Sequence, residues 1–240
     1  MQFDEKWSFV AKKQKNCGPA DARCGDCWDH IALDPEHRLV VSAVVGKRTE
    51  ANARQVVYEF YERTDGRPIN LMTSDEYPAY AAAIADQYGD PEEGLPEWLV
   101  YATVHKTREH NRVVKVEARL VLGALVNLAA ALVWAVLSCV NTVFVERSNG
   151  SDRHRNGRKG RKTYRFSKDW AVHAAMTYFT LYSANFCWAV RTLRQEVAPK
   201  RYRQRAPAMA AGLTDHIWPL EEWLLFPSNS RYKLPPCPRN

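Results

Sequence analysis

Three acids of this 240-residue chain, Asp4, Asp75 and Glu146, lie so far apart in sequence that only the fold can bring them together. Three carboxylates held side by side repel one another, and a pair of divalent cations relieves the repulsion; hard oxygen ligands select Mg2+ or Mn2+. Two such ions roughly 3.5–4 Å apart activate a water or a 3′-hydroxyl and stabilise the leaving oxygen of a phosphodiester. Each acid also has a plainer use. Asp4 suits an edge strand, Asp75 a helix N-cap, and Glu146 the first turn of a helix, where the dipole favours it. With 27 Asp/Glu in the chain, acid chemistry alone does not single these out.

The cations narrow the choice. From Arg147 to Lys168, directly after Glu146, there are nine Lys/Arg and one acid, a local charge of +8 (9 − 1) in a chain of net charge +7. The rest of the chain is therefore close to neutral, and the basicity is a site. Clustered Lys/Arg neutralise phosphates and release counterions, which points to a polyanion, although solvated loops carry such runs too.

The elements that must position these groups follow from patterning. At 46% hydrophobic and 25% charged, the composition is that of an ordinary folded protein with one large or two small cores. Residues 2–10 read as a strand, 12–26 as a Cys/Gly/Asp-rich excursion, and 28–33 and 38–45 as two strands of an antiparallel meander. Thr49 caps a helix reaching Arg63, closed by Gly66-Arg67-Pro68. A short apolar strand at 69–73 places Asp75 just past its end, before a helix over 78–87. Alternating strands follow at 99–104 and 113–122, then helices over 124–140, 141–156 and 167–193, and an extended tail with one short helix at 220–225. Strand meander, helix, strand, helix, then helices is the order of an α/β, ribonuclease-H-like (integrase-type) mixed sheet flanked by helices. In that fold the first and fourth strands lie together at the sheet centre, with Asp4 on one, Asp75 at the end of the other and Glu146 on a later helix.

The string Glu146-Arg147-x-Asn149-x3-Arg153-x4-Arg158-x2-Arg161-Lys162-Thr163-x2-Phe166-Ser167-Lys168, with His173 five residues on, resembles the C-terminal catalytic signature of insertion-sequence-one family transposases. Phe3-Asp4-Glu5-Lys6-Trp7 resembles the family's first-acid strand, Gly46-Lys47-Arg48-Thr49 its next turn, and Met72-Thr73-Ser74-Asp75-Glu76-Tyr77-Pro78-Ala79-Tyr80 its second-acid segment. The resemblance implies a DDE-type transposase in which Asp4, Asp75 and Glu146 bind two Mg2+ or Mn2+ ions for DNA cleavage and strand transfer. Arg147, Asn149, Arg153, Arg158, Arg161, Lys162 and Lys168 would hold DNA, and Asn149 or Arg153 could instead orient Glu146. It further implies element ends and target DNA as partners and at least a dimer, because two ends must be held together.

Residues 1–194 are expected to form this catalytic domain, with 95–140 as an inserted, largely helical segment and 195–240 as a tail. The chain starts three residues before Asp4, so the zinc-binding and helix-turn-helix segments the family places first are expected on a separate frame's product. MQFDEKWSFV carries no secretory signal, and six Cys without one suggest reduced thiols in a cytoplasmic, nucleoid-associated protein.

Cys17, Cys24, Cys27 and His30 offer four ligands and one tight knuckle, a candidate structural zinc set that lacks a second knuckle. The uncharged run Leu120–Val145 raises a membrane span, which would put Glu146 and Asp75 on opposite sides; its alternating start, Gly123 and the polar Asn127 and Ser138 argue against it. A DNA-binding relic that grips but does not cut is the remaining alternative.

Overall fold

The computed structural model describes residues 1–227 except 22, 111, 137 and 161. Its centre is a six-stranded mixed sheet flanked by helices. The strands are β1 (Gln2–Val10), β2 (Gly25–Asp34), β3 (Leu39–Gly46), β4 (Met72–Asp75), β5 (Tyr101–Glu109) and β6 (Arg112–Leu122), in the order β3-β2-β1-β4-β5-β6. β1, β2 and β3 form an antiparallel meander, while β4 runs parallel to both β1 and β5. The expected neighbourhood of first and fourth strands is therefore present.

Helix α1 (Glu50–Arg63) starts where the Thr49 hydroxyl accepts from Asn52 N at 3.3 Å, and it buries Ala53, Val56, Val57 and Phe60, the 3–4 spacing of one helical face. With α2 (Ala79–Tyr88) it covers one side of the sheet, where Phe3 packs edge-on against Phe60 and against Tyr80. Helices α4 (Val143–Arg155) and α5 (Trp170–Cys187) cover the other, around Ile31, Leu33, Val40, Ala43, Val145 and Leu181.

Several boundaries differ from the sequence expectation. The fourth strand is Met72–Asp75 rather than 69–73, because its pairing with β5 (Met72 opposite Tyr101 through Asp75 opposite Val104) sets its extent. Within 95–140 the two expected strands are present as β5 and β6 and join the sheet, and the helix that follows is only ten residues long, α3 (Leu125–Trp134). That helix is shorter than 124–140 because the chain must return to the sheet, where the Asn141 carbonyl accepts from Gln2 Nε2 at 2.8 Å and Thr73 Oγ1 at 2.9 Å. Among the described residues no helix is long and apolar enough to cross a membrane.

The last long helix is also shorter than 167–193. Ser167 is extended and bridges Val10, Asp169 caps α5 by accepting from Val172 N, and beyond Trp188 the Val190 N–H turns to Arg205 O. The tail forms a hairpin, β7 (Gln195–Ala198) with β8 (Arg201–Arg203), then α6 (Pro207–Ala210) and α7 (Leu220–Leu225). Rings dock it on α5, Phe179 against Trp223 and Phe186 against Trp218.

Candidate active site

One face of β1 builds the site by alternation. Gln2, Asp4, Lys6 and Ser8 point to the α4/α5 side of the sheet, and each meets a different group there. The Gln2 carboxamide oxygen accepts from Phe144 N (3.1 Å) and Val145 N (3.0 Å), capping α4 in place of a side chain of its own. Asp4 Oδ2 accepts from Asn149 Nδ2 at 2.6 Å. Lys6 is ion-paired to Asp152, and Ser8 Oγ lies 3.1 Å from His173 Nε2. Glu146, Asn149 and Asp152 recur every three residues on α4, one helical face laid against one strand face.

The parallel pairing of Gln2 with Thr73 places Asp4 level with Asp75 on the adjacent strand. Burial, then the negative field of Asp75, and more weakly that of Glu146, push the Asp4 carboxyl up to about 6 against the Asn149 hydrogen bond, which favours the ionised form. Asp75 is raised as well, by burial first and by Glu146 in part, with Lys106 and Arg48 pulling it down. Glu146 stands on the first turn of α4, where Thr142 Oγ1 donates to its Oε1 at 2.8 Å and Lys106 of β5 forms an ion pair with it. The fold thus brings the three acids into one electrostatic neighbourhood.

Their chemistry fits a hard divalent cation. Asp75 Oδ1 and Asn149 Oδ1 are buried acceptors with no hydrogen-bond partner. Clustered carboxylates that hold protons well above their usual range are groups a cation would satisfy. Among the described residues the one set of His, Cys, Asp or Glu ligand atoms within 4.8 Å of one another is Cys27, Asp29 and His173, so the three acids face each other at wider spacing, with the Lys106 ammonium on Glu146.

Several groups beyond the sequence expectation belong here. Glu5, next to Asp4, is buried and pushed up to about 7 by burial and Asp75; Arg48 reaches its Oε2 at 3.0 Å. Below the acids, Lys6 Nζ and Lys159 Nζ share Asp29 Oδ2 at 3.2 and 2.5 Å, and both lie by Asp152, all four fully or almost fully buried. Burial works against ionised Asp29, but Lys159 and Lys6 outweigh it and hold the carboxyl at about 2. A charged residue in a central strand between Trp28 and His30 was the signal for this quartet. Lys106 had no such signal, since its role comes from the β4–β5 register.

The residues expected to hold DNA separate by exposure. Arg147, Lys162 and Lys168 are exposed and Arg153 and Arg158 half-buried, whereas Asn149 is buried and spent on Asp4, not on Glu146 or the solvent face. Arg161 lies outside the described residues. Lys159 and Asp152 point inward and cancel, so what the basic run shows to solvent is cationic. The zinc set does not assemble. Cys27 and His30 are on opposite faces of β2, an odd number of residues apart; His30 Nε2 contacts Lys47 O at 3.2 Å, and the half-exposed Cys17 thiol donates to Lys13 O. The Cys27 thiol, pushed up to about 12 by burial and Asp29, lies instead by His173.

Comparison with protein-family models, with curated proteins and with solved structures gives no match.

Proposed function

We propose that this chain is a metal-dependent DNA-cleaving and strand-transferring enzyme, the catalytic domain of a DDE-type transposase resembling the insertion-sequence-one family. The observation that carries the reading is the level placement of Asp4 and Asp75 on adjacent parallel strands, with Glu146 reaching them from α4 at the head of a basic surface. The order β3-β2-β1-β4-β5, with one antiparallel meander and two parallel pairs, supports a ribonuclease-H-like sheet.

Asp4, Asp75 and Glu146 would hold the ions, and Mg2+ or Mn2+ supplies there a Lewis acid for phosphoryl oxygens and a lowered pKa for an attacking water or 3′-hydroxyl. Asn149 fixes Asp4 Oδ2 and so orients the carboxylate. Lys106 balances Glu146 and offers an ammonium to a phosphate at the same mouth. Arg147, Arg153, Lys162 and Lys168 hold the DNA backbone.

A second reading, DNA binding without cleavage, draws on the Lys106–Glu146 pair, which gives the third acid a protein cation as partner. Nicking of supercoiled plasmid in Mg2+ or Mn2+ at low salt separates the two. The parent should nick, and Asp75→Asn and Glu146→Gln should each fall at least about 100-fold, since a lost metal ligand removes several kcal/mol of transition-state stabilisation. Equal DNA binding by all three with no cutting would leave the second reading.

A further inference from the structure

Beyond Asp75, β1 runs on without β4. Among the described residues nothing pairs with that edge of β1 from Glu5 until Ser167 bridges Val10 and accepts from Ala11 N at 2.7 Å. The gap has the second acid at one end and Phe166-Ser167-Lys168, the close of the basic run, at the other.

Rings line this stretch. Trp7 and Trp28 are directly opposed across β1 and β2, so they share a face, and Trp7 is 36% exposed. The Trp7 ring lies 5.9 Å from Phe9, and Phe9 lies 4.9 Å from Phe166. At the acid end the Arg48 guanidinium sits between Trp28 (5.0 Å) and Tyr77 (4.4 Å), and the Tyr77 N–H bonds the Asp75 carbonyl. At the far end Lys168 covers Phe166 at 3.2 Å and Lys13 lies 6.0 Å from Phe9. Half-exposed rings alternating with cations are costly to leave in water on a strand face, and they match one polymer: an unpaired nucleic-acid strand, whose bases stack on rings while its phosphates meet the cations. A duplex keeps its bases stacked on each other and has no use for the rings.

We propose that Tyr77, Arg48, Trp28, Trp7, Phe9 and Phe166 form a stacking strip for single-stranded DNA leading away from the acids. The strip takes its polymer, DNA, from the cleavage reading; its geometry does not depend on that reading. The strip lies on the face of β1 opposite Asp4 and starts at Tyr77 beside Asp75, so an unpaired strand leaving the acids passes the end of β4 to reach it, while the basic run holds the duplex.

The test measures anisotropy of a labelled oligo(dT) and of a labelled duplex of equal length, with the parent, Trp7→Leu and Phe166→Leu, each variant's fold checked by its thermal transition. Base–ring stacking of about 1–3 kcal/mol per base predicts that Trp7→Leu and Phe166→Leu each weaken single-strand binding at least about 5-fold and leave duplex binding within about 2-fold. Folded variants with unchanged single-strand affinity, or with equal losses on both DNAs, overturn the strip. If the parent fails to nick plasmid while the ring variants still lose single-strand binding selectively, the cleavage reading falls and the strip stands.

Discussion

Asp4 is a carboxylate buried near Asp75 and Glu146, and the Asn149 hydrogen bond eases the resulting conflict. The folded protein holds the Asp4 proton up to about pH 6, against an ordinary value of 3.8. Between those values the native state binds more protons than the unfolded one, so this group's contribution to stability falls as pH rises through the window. Asp4→Asn removes that term: urea midpoints followed from pH 4 to 6.5 should show the variant gaining on the parent as pH rises, and parallel curves would contradict the placement. Removing the Asn149 amide takes away a bond that favours the ionised form, so Asn149→Ala should raise the Asp4 pKa further. For a supporting group one step from the proposed ions, the loss should lower nicking about 10–100-fold. The acid limb of the pH–rate profile should also move to higher pH, whereas a merely loosened fold would scale the profile without moving the limb.

At the scale of elements, α4 is positioned by charge as much as by apolar packing. Only Val145, Asn149 and Asp152 of its residues are buried, and Asp152 reaches Lys6 of β1 and, through Thr180 Oγ1 at 2.7 Å, α5. Removing one partner of a buried pair leaves an uncompensated charge, so Lys6→Met should cost about 3–5 kcal/mol in chemical denaturation. Lys6→Met with Asp152→Leu should recover most of the loss, because Lys159 and Asp29 remain as a neutral pair at 2.5 Å. A double variant no more stable than the single would mean that Asp152 acts through Thr180 and Lys159 instead. These contacts mark where sequence reasoning stopped. The strand Gln2–Val10 and the Thr49-capped helix were legible from patterning and capping, while the choice of Asp4, Asp75 and Glu146 among 27 Asp/Glu rested on the resemblance. Which side chains meet across β1, α4 and α5 depends on a crossing angle and a register that no local pattern records. The same limit hid Lys106, although the strands at 99–104 and 113–122 were legible from alternation and recur as β5, which carries it, and β6.

For the whole molecule, what matters is where the +7 charge points. The stretch Arg147–Lys168 reads in sequence as one uniform polyanion site, but the fold divides it: Lys159 is drawn with Asp152 into the buried quartet, while Lys162 and Lys168 face solvent. Phosphate contacts release counterions, so each exposed cation lost should lower the slope of log K against log salt for duplex binding by about 0.9. Lys162→Gln and Lys168→Gln are therefore expected to flatten that slope, and the double variant by roughly the sum. Lys159→Gln should leave the slope of the folded protein unchanged and appear instead as lost stability in urea. Asp75→Asn should keep the parent's slope, because on the proposed reading the acids meet ions and the run meets phosphates. A Lys159 variant that flattened the slope as much as Lys168→Gln, with its stability intact, would show that the quartet opens toward DNA and that the basic surface is larger than the fold displays.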